Sequence, residues 1–310
     1  MKDLGYDVLL SNRILDSLLF WKYDILFSYF YRYSFFAALL AKCFGKKTYF
    51  TGGIDSLDSD YASAFNYKIQ ALFFKLCYWV ADYCIIVSQS DLKNIFKVSS
   101  LKKKLSYSEH VINTKLFIAD VPKEKIFTSI VWMGDEGNVV RKGVDKALQI
   151  FAELKKIPEF VDYRFVIIGR KGEGEVLVRS IIDKYNLKGS VELKGEVSEE
   201  DKINLLKQSK YYFQLSLYEG FGLAALEALC ANNIIIHSGK GGLANPIYKE
   251  QLLFDIDNDF DSELLKLVNK LACFTPITSY DNLLEYYDIQ RRKDDFEAII
   301  VNGKSNYKLK

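Results

Sequence analysis

The chain has 310 residues, which is enough for two domains that each bury a core. Hydrophobic residues make up 49% and charged residues 26%, a composition typical of globular proteins and not of disordered or fibrous ones. The net charge of +2 gives no reason to expect a nucleic-acid-binding protein, and two histidines without any Cys-x-x-Cys pair argue against a zinc site.

The first 110 residues alternate between short apolar runs and helical patterns. Strands are predicted over residues 7–10, 24–27, 48–50 and 84–87, and helices over 34–44 and 65–81. Gly45, followed by Lys46 and Lys47, indicates a helix C-cap with cations at the negative end of the dipole. This alternation predicts parallel βαβ units, and residues 113–127 have the polarity and the proline of a linker.

Residues 1–120 differ in composition from the remainder. They contain 15 Lys or Arg, 11 Asp or Glu, and 25 of the 46 aromatic residues. A basic, aromatic half is compatible with peripheral contact with an anionic membrane surface. An aromatic-rich core with solvated lysines is the slightly preferred interpretation, and the membrane surface stays open as the alternative. The longest strongly apolar stretch here has nine residues (33–41), against the ~20 that a membrane span needs.

The second half repeats the alternation more clearly. Strands are predicted over 129–133, 164–168, 191–193, 211–215 and 234–236, and helices over 142–156, 175–185, 199–208, 222–231 and 262–271. Ser198 followed by Asp201 indicates a capped helix start, and residues 280–300 predict one more amphipathic helix. The expected fold is α/β, with two Rossmann-like domains that face a cleft. The expected boundaries are 1–120, 121–278 and a crossover helix with a tail at 279–310.

The most informative segment is residues 218–231 (YEGFGLAALEALCA). A buried strand at 210–215 precedes it, Gly220-Phe221-Gly222 forms a tight turn, and strong helix formers follow. Such a turn presents backbone N–H groups and a positive helix end to an anion. Glu219 lies in the turn, and Glu227 lies in an almost entirely apolar helix, where a carboxylate needs a partner. The pattern predicts a ligand with a phosphate and hydroxyls at both ends, such as a nucleotide sugar.

A second candidate site is residues 132–144 (WMGDEGNVVRKGV). A strand is expected to end at Gly134, and Arg141-Lys142-Gly143 is expected to open a helix. A lysine at a helix N-terminus opposes the dipole, and a bound diphosphate shared with the helix N–H groups would resolve that conflict. The alternative is an exposed surface cation.

Two further Gly-containing turns follow predicted strands. Residues 166–174 (VIIGRKGEG) carry Arg170 in such a turn, and residues 239–242 (GKGG) suit a close backbone approach. The Asp58-Ser59-Asp60 segment favours turn chemistry over a metal site. No Walker loop, nucleophile elbow or dinucleotide-binding GxGxxG is present. The five cysteines are odd in number and mostly lie in apolar runs, which indicates reduced core residues of a cytoplasmic protein.

Taken in order, these motifs resemble the donor-binding domain of retaining glycosyltransferases of family four, which have the GT-B fold. The resemblance covers residues 126–254: a strand with a Lys-Gly turn, VIIGR, VELKGEVSEED, YEGFGLAALEAL and a Gly-Gly turn. Residues 1–125 resemble the family's acceptor domain more loosely, at YDILFSY (23–29) and FTGGID (50–55).

The resemblance implies roles for individual residues. Glu219 would bind the hydroxyls of the transferred sugar, Glu227 the ribose hydroxyls, and Lys142 the diphosphate. The remaining donor-site candidates it implies are Gly134, Arg141, Gly169, Arg170, Ser216, Gly220, Phe221, Gly222 and Leu223. The acceptor-side candidates are Gly52, Gly53 and Asp55. No metal and no cofactor would be needed, because a lysine and helix dipoles supply the charge that Mg²⁺ supplies elsewhere.

The chain departs from the family pattern at four places. Asp135 stands where the family has an arginine, Gly52 where it has a histidine, and Asn245 near the place of a third glutamate. The family's first strand and its Gly-Gly loop have no counterpart, so we expect either an upstream start or a shortened member.

The predicted function is transfer of a sugar from a UDP- or GDP-linked donor to a saccharide or lipid-linked saccharide, with retention, in surface polysaccharide or glycan assembly. The predicted location is the cytoplasm, with peripheral contact at the inner face of the membrane as an open alternative. Two other functions stay open: a non-catalytic GT-B-like subunit that supports a partner transferase, and a nucleotide-sugar epimerase.

Overall fold

The computed structural model describes residues 1–11, 13–52, 57–59, 62–118, 121–274 and 285–303. The chain divides into two compact units. One is built from residues 1–111 and the C-terminal segment that begins at Tyr287, and the other from residues 112–286.

Helices and strands alternate in the described residues. The strands are β1 (Ile25–Ser28), β2 (Lys47–Thr51), β3 (Tyr83–Ile86), β4 (Leu105–Tyr107), β5 (Glu124–Ile130), β6 (Arg164–Ile168), β7 (Val191–Gly195), β8 (Ser209–Gln214), β9 (Ile234–His237) and β10 (Leu252–Leu253). The helices are α1 (Ile14–Ser17), α2 (Tyr31–Cys43), α3 (Ala64–Val80), α4 (Gln89–Val98), α5 (Glu136–Arg141), α6 (Val144–Leu154), α7 (Glu175–Lys184), α8 (Glu199–Gln208), α9 (Leu223–Cys230), α10 (Phe260–Cys273) and α11 (Ile289–Phe296). Short 3₁₀ turns lie at Lys2–Leu4, Phe20–Lys22, Thr114–Leu116, Pro158–Phe160, Gly241–Ala244 and Pro246–Tyr248, and a π-helical turn lies at Glu297–Val301.

The first unit contains a parallel sheet in the order β1-β2-β3-β4. Alternate residues along β2 and β3 point to opposite faces, as the pleat requires. Phe50 and Cys84 belong to the core that includes residues of α2, α3 and α4. Tyr49 and Ile85 instead pack against Ile299, which follows α11. The C-terminal segment therefore covers the face of this sheet that α2 and α3 leave open.

Polar contacts attach α11 to the loop after β4. The Ser108 hydroxyl donates to Asp295 Oδ2 at 2.8 Å, and Arg291 Nη2 donates to the Glu109 carbonyl at 3.3 Å. Arg292 Nη1 lies 2.5 Å from His110 Nδ1, and because a guanidinium only donates, that ring nitrogen accepts. Burial lowers the pKa of His110 to about 4, so its imidazole is neutral at pH 7.

The second unit contains a parallel sheet in the order β10-β9-β8-β5-β6-β7. The strand order reverses between β5 and β8: the chain moves outward from β5 to β7 on one side and from β8 to β10 on the other. Phe127 of β5 lies fully buried at this point and stacks on Tyr211 and Phe213 of β8, with ring centroids 4.6 and 5.1 Å apart. In sheets of this type ligands bind at the carboxyl ends of the strands beside the reversal.

Several predicted elements are confirmed. The strand at Arg164–Ile168 and the helix at Glu199–Gln208 have the predicted bounds. The Ser198 hydroxyl accepts from the Asp201 N–H at 3.0 Å and so caps α8. Gly45, with φ 71°, ends α2, and the Lys46 N–H donates to the Ala41 carbonyl at 2.9 Å.

Other predicted elements are wrong. Residues 7–10 form no strand; Leu9 and Leu10 are exposed, and β1 has no strand beyond it among the described residues. The predicted linker at 113–127 ends too late, because β5 already begins at Glu124 and pairs with β6 and β8. The strand predicted over 129–133 consequently ends at Ile130. Charged residues at the exposed start of β5 gave this segment the polarity of a linker.

The helix predicted over 142–156 is also wrong at its start. α5 ends at Arg141, Lys142 follows it, and Gly143 with φ 69° turns the chain into α6. A residue with positive φ cannot continue an α-helix, and glycine adopts this conformation without strain. Of the predicted C-terminal helix at 280–300, α11 and the π-helical turn form, and residues 280–284 lie outside the described residues.

The cysteine prediction holds for three of the five residues. Cys77, Cys84 and Cys230 are buried, whereas Cys43 and Cys273 are exposed, and all five are free thiols. Asp58 accepts a hydrogen bond from Asn94 Nδ2 at 3.3 Å, and Asp60 lies outside the described residues.

The close approach between β6 and the loop after β5 generates a stability prediction. Gly169 has φ 130°, and a Cβ there would lie 2.0 Å from the Val131 carbonyl oxygen. We expect Gly169→Ala to lower the free energy of unfolding by about 2–4 kcal/mol, because strain and a backbone clash add. Gly220→Ala is the control, since a Cβ there meets nothing within 4 Å. Urea unfolding of both variants measures the difference, and equal stabilities would contradict the prediction.

Candidate functional site

The site lies where the strand order reverses in the second unit. β5 and β8 are neighbours in the sheet, and the loop after each strand leaves from its carboxyl end. The loop after β5 leads to α5 and Lys142, and the loop after β8 leads to Glu219 and α9. Two segments that are 77 positions apart in sequence therefore meet at one edge of the sheet.

Lys142 is held between two helices. Its N–H donates to the Asn138 carbonyl at 3.0 Å, which places the residue at the C-terminus of α5. Lys142 is therefore the C-cap residue of α5, at a helix end where a cation is favourable, and it does not open a helix as the sequence predicts. The Leu217 N–H donates to the Arg141 carbonyl at 2.8 Å, and a Cβ on Gly143 would lie 2.0 Å from the Leu215 carbonyl oxygen. These contacts attach the lysine turn to the end of β8.

Glu219 and Lys142 form an ion pair. Lys142 Nζ lies 2.7 Å from Glu219 Oε2, and 21% and 16% of the two side chains are exposed. The same carboxylate oxygen accepts from Gln214 Nε2 and from Ser216 Oγ, each at 3.1 Å. Three donors, one at the end of β8 and two in the loops after α5 and β8, thus fix the carboxylate, and its orientation does not depend on one contact.

A chain of buried hydrogen bonds connects the end of β5 with Glu219 through Tyr212 and Gln214. The Tyr212 hydroxyl donates to Gln214 Oε1 at 3.2 Å and accepts from the Ile130 N–H at 3.3 Å. Gln214 Nε2 also reaches Ser216 Oγ at 2.8 Å. Burial raises the pKa of Tyr212 well above its usual range, and the Glu227 and Glu219 carboxylates raise it further. Tyr212 therefore stays neutral, and both glutamates lie close enough to influence it electrostatically.

Glu227 is paired with a lysine from another helix. Lys202 Nζ of α8 lies 2.9 Å from Glu227 Oε1 and 2.7 Å from Glu199 Oε1. Burial raises the pKa of Glu227, and the hydrogen bond from Lys202 opposes that shift. The carboxylate inside an apolar helix, which the sequence predicts to need a partner, has one.

The turn before α9 is held by the Gly-Gly turn after β9. The Gly242 N–H donates to the Glu219 carbonyl at 2.5 Å, and a Cβ on Gly241 would lie 2.3 Å from the same oxygen. Gly222, with φ 87°, begins α9, and its carbonyl accepts from the Tyr248 hydroxyl at 3.3 Å. The predicted close backbone approach at residues 239–242 is therefore present, and its partner is the backbone of Glu219.

The remaining donor-site candidates lie at the same edge of the sheet. Phe221 is buried, Leu223 and Arg170 are exposed, and Gly169 crosses close to Val131. The Met133 N–H donates to the Arg170 carbonyl at 2.9 Å, which joins the loops after β5 and β6. Gly134 is part of that loop, where a Cβ would lie 2.6 Å from the Trp132 ring.

Asp135 and Arg141 have partners within their own helix. Asp135 Oδ1 accepts from the Asn138 N–H at 2.6 Å and so caps α5. Arg141 Nη2 donates to Asn138 Oδ1 at 2.7 Å. The aspartate that replaces the expected arginine thus has a structural reason, since aspartate is among the best N-cap residues.

The acceptor-side candidates belong to the first unit. Gly52 follows β2 with φ 58° and lies against Tyr29, whereas Gly53 and Asp55 lie outside the described residues. In the part of the chain that the structure describes, no group of three or more His, Cys, Asp or Glu side chains could hold a metal ion. Across the same residues, every helix is too short or too polar to cross a membrane.

Sequence reasoning missed three residues that hold the two glutamates: Tyr212, Gln214 and Lys202. Gln214 carries a detectable signal, because it is a polar residue that follows the buried aromatic run 211–213 at the carboxyl end of its strand. Lys202 carries none, because it is one of several charged residues on α8 and lies 25 positions from Glu227.

Comparison with known proteins supports the family resemblance. Residues 137–271 match the family described as glycosyl transferases group 1. The chain is 32% identical over 163 residues to the GDP-mannose:cellobiosyl-diphosphopolyprenol alpha-mannosyltransferase of Xanthomonas oryzae pv. oryzae. This match covers 46% of this chain and 40% of that protein. The chain is 27% identical over 129 residues to the phosphatidylinositol N-acetylglucosaminyltransferase GPI3 subunit of Saccharomyces cerevisiae, covering 42% and 28%. The matches thus span less than half of either relative.

Solved structures confirm the predicted fold class, α/β with two Rossmann-like domains of the GT-B type. HepE of Anabaena, solved with UDP-glucose, superimposes with a TM-score of 0.71 at 13% identity, over 91% of this chain and 79% of that chain. Sucrose-phosphate synthase of Thermosynechococcus elongatus superimposes with a TM-score of 0.66 at 21% identity, over 91% and 72%.

The Lys202–Glu227 pair generates a prediction on stability and pH. We expect Lys202→Met to lower the free energy of unfolding at pH 7 by about 1–3 kcal/mol, because it leaves a largely buried carboxylate unpaired. Without the lysine the pKa of Glu227 rises further. The loss should therefore shrink as the pH falls through that pKa and the carboxyl becomes neutral.

Denaturant unfolding from pH 7 to pH 4 measures this effect, with Lys249→Met as the control. Lys249 is exposed and lies in the same unit, so the same change in charge is made without a buried partner. A pH-independent loss in Lys202→Met would contradict the pairing argument.

Proposed function

We propose that this chain is a glycosyltransferase of group 1 that transfers a sugar from a UDP- or GDP-linked donor to a saccharide or lipid-linked saccharide, with retention of configuration. The setting we propose is polysaccharide or glycan biosynthesis. The observation that carries the proposal is the Lys142–Glu219 ion pair at the reversal of the strand order.

The ion pair suits the chemistry of a nucleotide sugar. In such a donor the anomeric carbon is joined directly to the diphosphate, so a group that binds the sugar hydroxyls and a group that binds phosphate must be neighbours. Glu219 Oε2 and Lys142 Nζ are 2.7 Å apart. A carboxylate accepts from hydroxyl groups and an ammonium donates to phosphate oxygens, so each partner matches one side of the scissile bond.

The rest of the donor would extend toward α9 and α8. The N-terminus of α9, where Gly222 to Leu223 begins the helix, supplies N–H groups and a positive dipole end for the diphosphate. Glu227 would accept from the ribose hydroxyls, and Lys202 keeps that carboxylate ionised and oriented. Lys202 is therefore a positioning residue in this proposal.

Transfer then requires little covalent chemistry from the protein. The bond from sugar to phosphate breaks, the electron pair leaves with the nucleoside diphosphate, and an acceptor hydroxyl attacks the oxocarbenium-like sugar while its proton passes to the released phosphate oxygen. Lys142 and the α9 N-terminus would stabilise the negative charge that develops on the diphosphate. These groups supply positive charge at the diphosphate without a divalent cation, which is why we propose metal-independent transfer.

The similar proteins agree with this type of donor. The Xanthomonas relative is named for GDP-mannose, and the HepE structure contains UDP-glucose. The two differ in base and sugar, so both UDP- and GDP-linked donors belong in the test.

Substitutions of the two members of the ion pair should differ in their effects on nucleotide affinity and on turnover. We expect Lys142→Met to weaken UDP or GDP binding and to lower kcat/KM by about 10²–10³-fold, because it removes charge stabilisation of the leaving group. Glu219→Gln should leave nucleoside diphosphate affinity equal or higher, since it frees the lysine, yet lower kcat by a similar factor. Isothermal titration together with transfer assays measures both effects.

Lys249→Met is the matched control for this pair of variants, and thermal melting checks that each variant folds. Equal affinities and rates in all four proteins would contradict the site assignment.

One transfer reaction tests both retention of configuration and metal independence. With an α-linked donor, in the presence of EDTA, we expect an α-linked product at an unchanged rate. The anomeric coupling constant in the proton NMR spectrum reports the configuration. A β-linked product would contradict retention, and loss of activity that Mg²⁺ or Mn²⁺ restores would contradict metal independence.

A second candidate function, a non-catalytic subunit that supports a partner transferase, is favoured by Asp135. This residue caps α5 at the position where the resemblance implies a phosphate-binding arginine. Nucleotide binding without transfer to any acceptor, together with co-purification of a second transferase, would favour this candidate.

A further inference from the structure

The outer side of α3 carries an exposed stripe in which apolar and basic residues alternate. Its members are Phe65, Lys68, Leu72, Lys75 and Trp79, spaced by three or four positions and therefore on one side of the helix. Phe65, Leu72 and Trp79 are 71%, 55% and 73% exposed. The opposite side packs into the core of the first unit, so the stripe faces away from the sheet.

The neighbouring helix α2 adds further exposed aromatic residues. Tyr33 and Phe36 are 66% and 69% exposed. Phe44 follows the helix at 53% and stacks on the Phe20 ring at 3.8 Å between centroids. α2 and α3 pack against each other in the same core, so the exposed aromatic residues of the two helices lie on neighbouring elements. We call the exposed residues of α2 and α3, with Phe44, the aromatic face. An exposed apolar surface of this extent marks an interaction site.

The charges on the two helices have one sign. Neither α2 nor α3 contains an aspartate or a glutamate, and together they carry Arg32, Lys42, Lys68 and Lys75. Lys42 is paired with Asp82 at 2.7 Å. The two lysines of the stripe are exposed and alternate with its large apolar side chains. The face is therefore both apolar and cationic.

This combination distinguishes a lipid surface from a protein partner. Lysine is depleted from the cores of protein–protein interfaces, because its ammonium is costly to desolvate. At a bilayer surface the same side chain buries its stem and keeps its ammonium among the phosphates. Tryptophan and other aromatic rings are enriched at that depth. From Phe65 to Trp79 the stripe is about 21 Å long at 1.5 Å per residue, which suits a helix that lies along a membrane.

We propose that the aromatic face docks this chain on a membrane surface that contains anionic lipids, with α3 parallel to the bilayer. Some aromatic residues of the first unit, such as Phe50 and Phe74, form the core, and others lie outside it on this face. The proposal rests on exposure and charge alone and does not depend on the transfer reaction.

The direct test is vesicle flotation with the purified chain. Vesicles are made of phosphatidylcholine alone or of phosphatidylcholine with phosphatidylglycerol. We expect binding to the anionic vesicles that weakens as salt rises, and much weaker binding to the neutral ones. Absence of binding to anionic vesicles at low salt would overturn the proposal.

Variants locate the contact. The triple variant Phe65→Gln, Leu72→Gln, Trp79→Gln should lower the partition coefficient at least tenfold, and Lys68→Gln with Lys75→Gln should remove the preference for anionic lipid. The matched control is Val161→Gln, Val176→Gln, Leu265→Gln, which replaces three residues of the second unit that are 54%, 70% and 63% exposed. Equal losses in the triple variant and in the control would overturn the assignment of the face.

Fluorescence gives a readout that does not depend on removing the face. The chain has three tryptophans, so Trp21→Phe with Trp132→Phe leaves Trp79 alone. Its emission should shift to shorter wavelength on anionic vesicles and be quenched by brominated lipid. An unshifted spectrum would overturn the proposal. A monomer–dimer equilibrium in sedimentation, present in wild type and abolished in the triple variant, would favour contact between two copies if wild type does not bind vesicles.

Discussion

The candidate site depends on one topological constraint, the reversal of strand order between β5 and β8. Two parallel strands that lie side by side, with connections that leave in opposite directions, open a space at their carboxyl ends. Lys142 and Glu219 are brought into that space from opposite sides and pair at 2.7 Å. Gln214 and Ser216 orient the glutamate of this pair, and the Gly242 N–H holds its backbone carbonyl.

The charged groups at the site are stabilised in sets. Glu219 accepts from Lys142, Gln214 and Ser216, and Glu227 is held by Lys202. A carboxylate that loses water must regain its hydrogen bonds, and each of these contacts replaces part of the lost hydration. Preorganised groups of this kind can stabilise a developing charge without first reorganising, which is the property that a glycosyl-transfer site needs.

Close backbone contacts explain why glycines surround the site. Gly143 approaches the Leu215 carbonyl, Gly169 the Val131 carbonyl, and Gly241 the Glu219 carbonyl, each at a distance that excludes a side chain. The segments that follow four strands, β5, β6, β8 and β9, are thereby joined through their backbones. The aromatic face lies in the other unit and serves a different purpose, since there the exposed side chains and not the backbone carry the proposed interaction.

The sequence by itself determined the alternation of strands and helices, the class of fold and the two glutamates, because hydrophobic period, turn residues and a carboxylate in an apolar helix are local signals. Predictions from the sequence were wrong where tertiary contacts override the local pattern. β5 begins at charged Glu124 because β6 and β8 pair with it, and residues 7–10 have no strand to pair with among the described residues. Only the tertiary structure decided that Lys142 meets Glu219, that Lys202 meets Glu227, and that Phe65, Leu72 and Trp79 lie outside the core. Each of these depends on which segments the sheet brings together, and the spacing of residues along the chain does not contain that information.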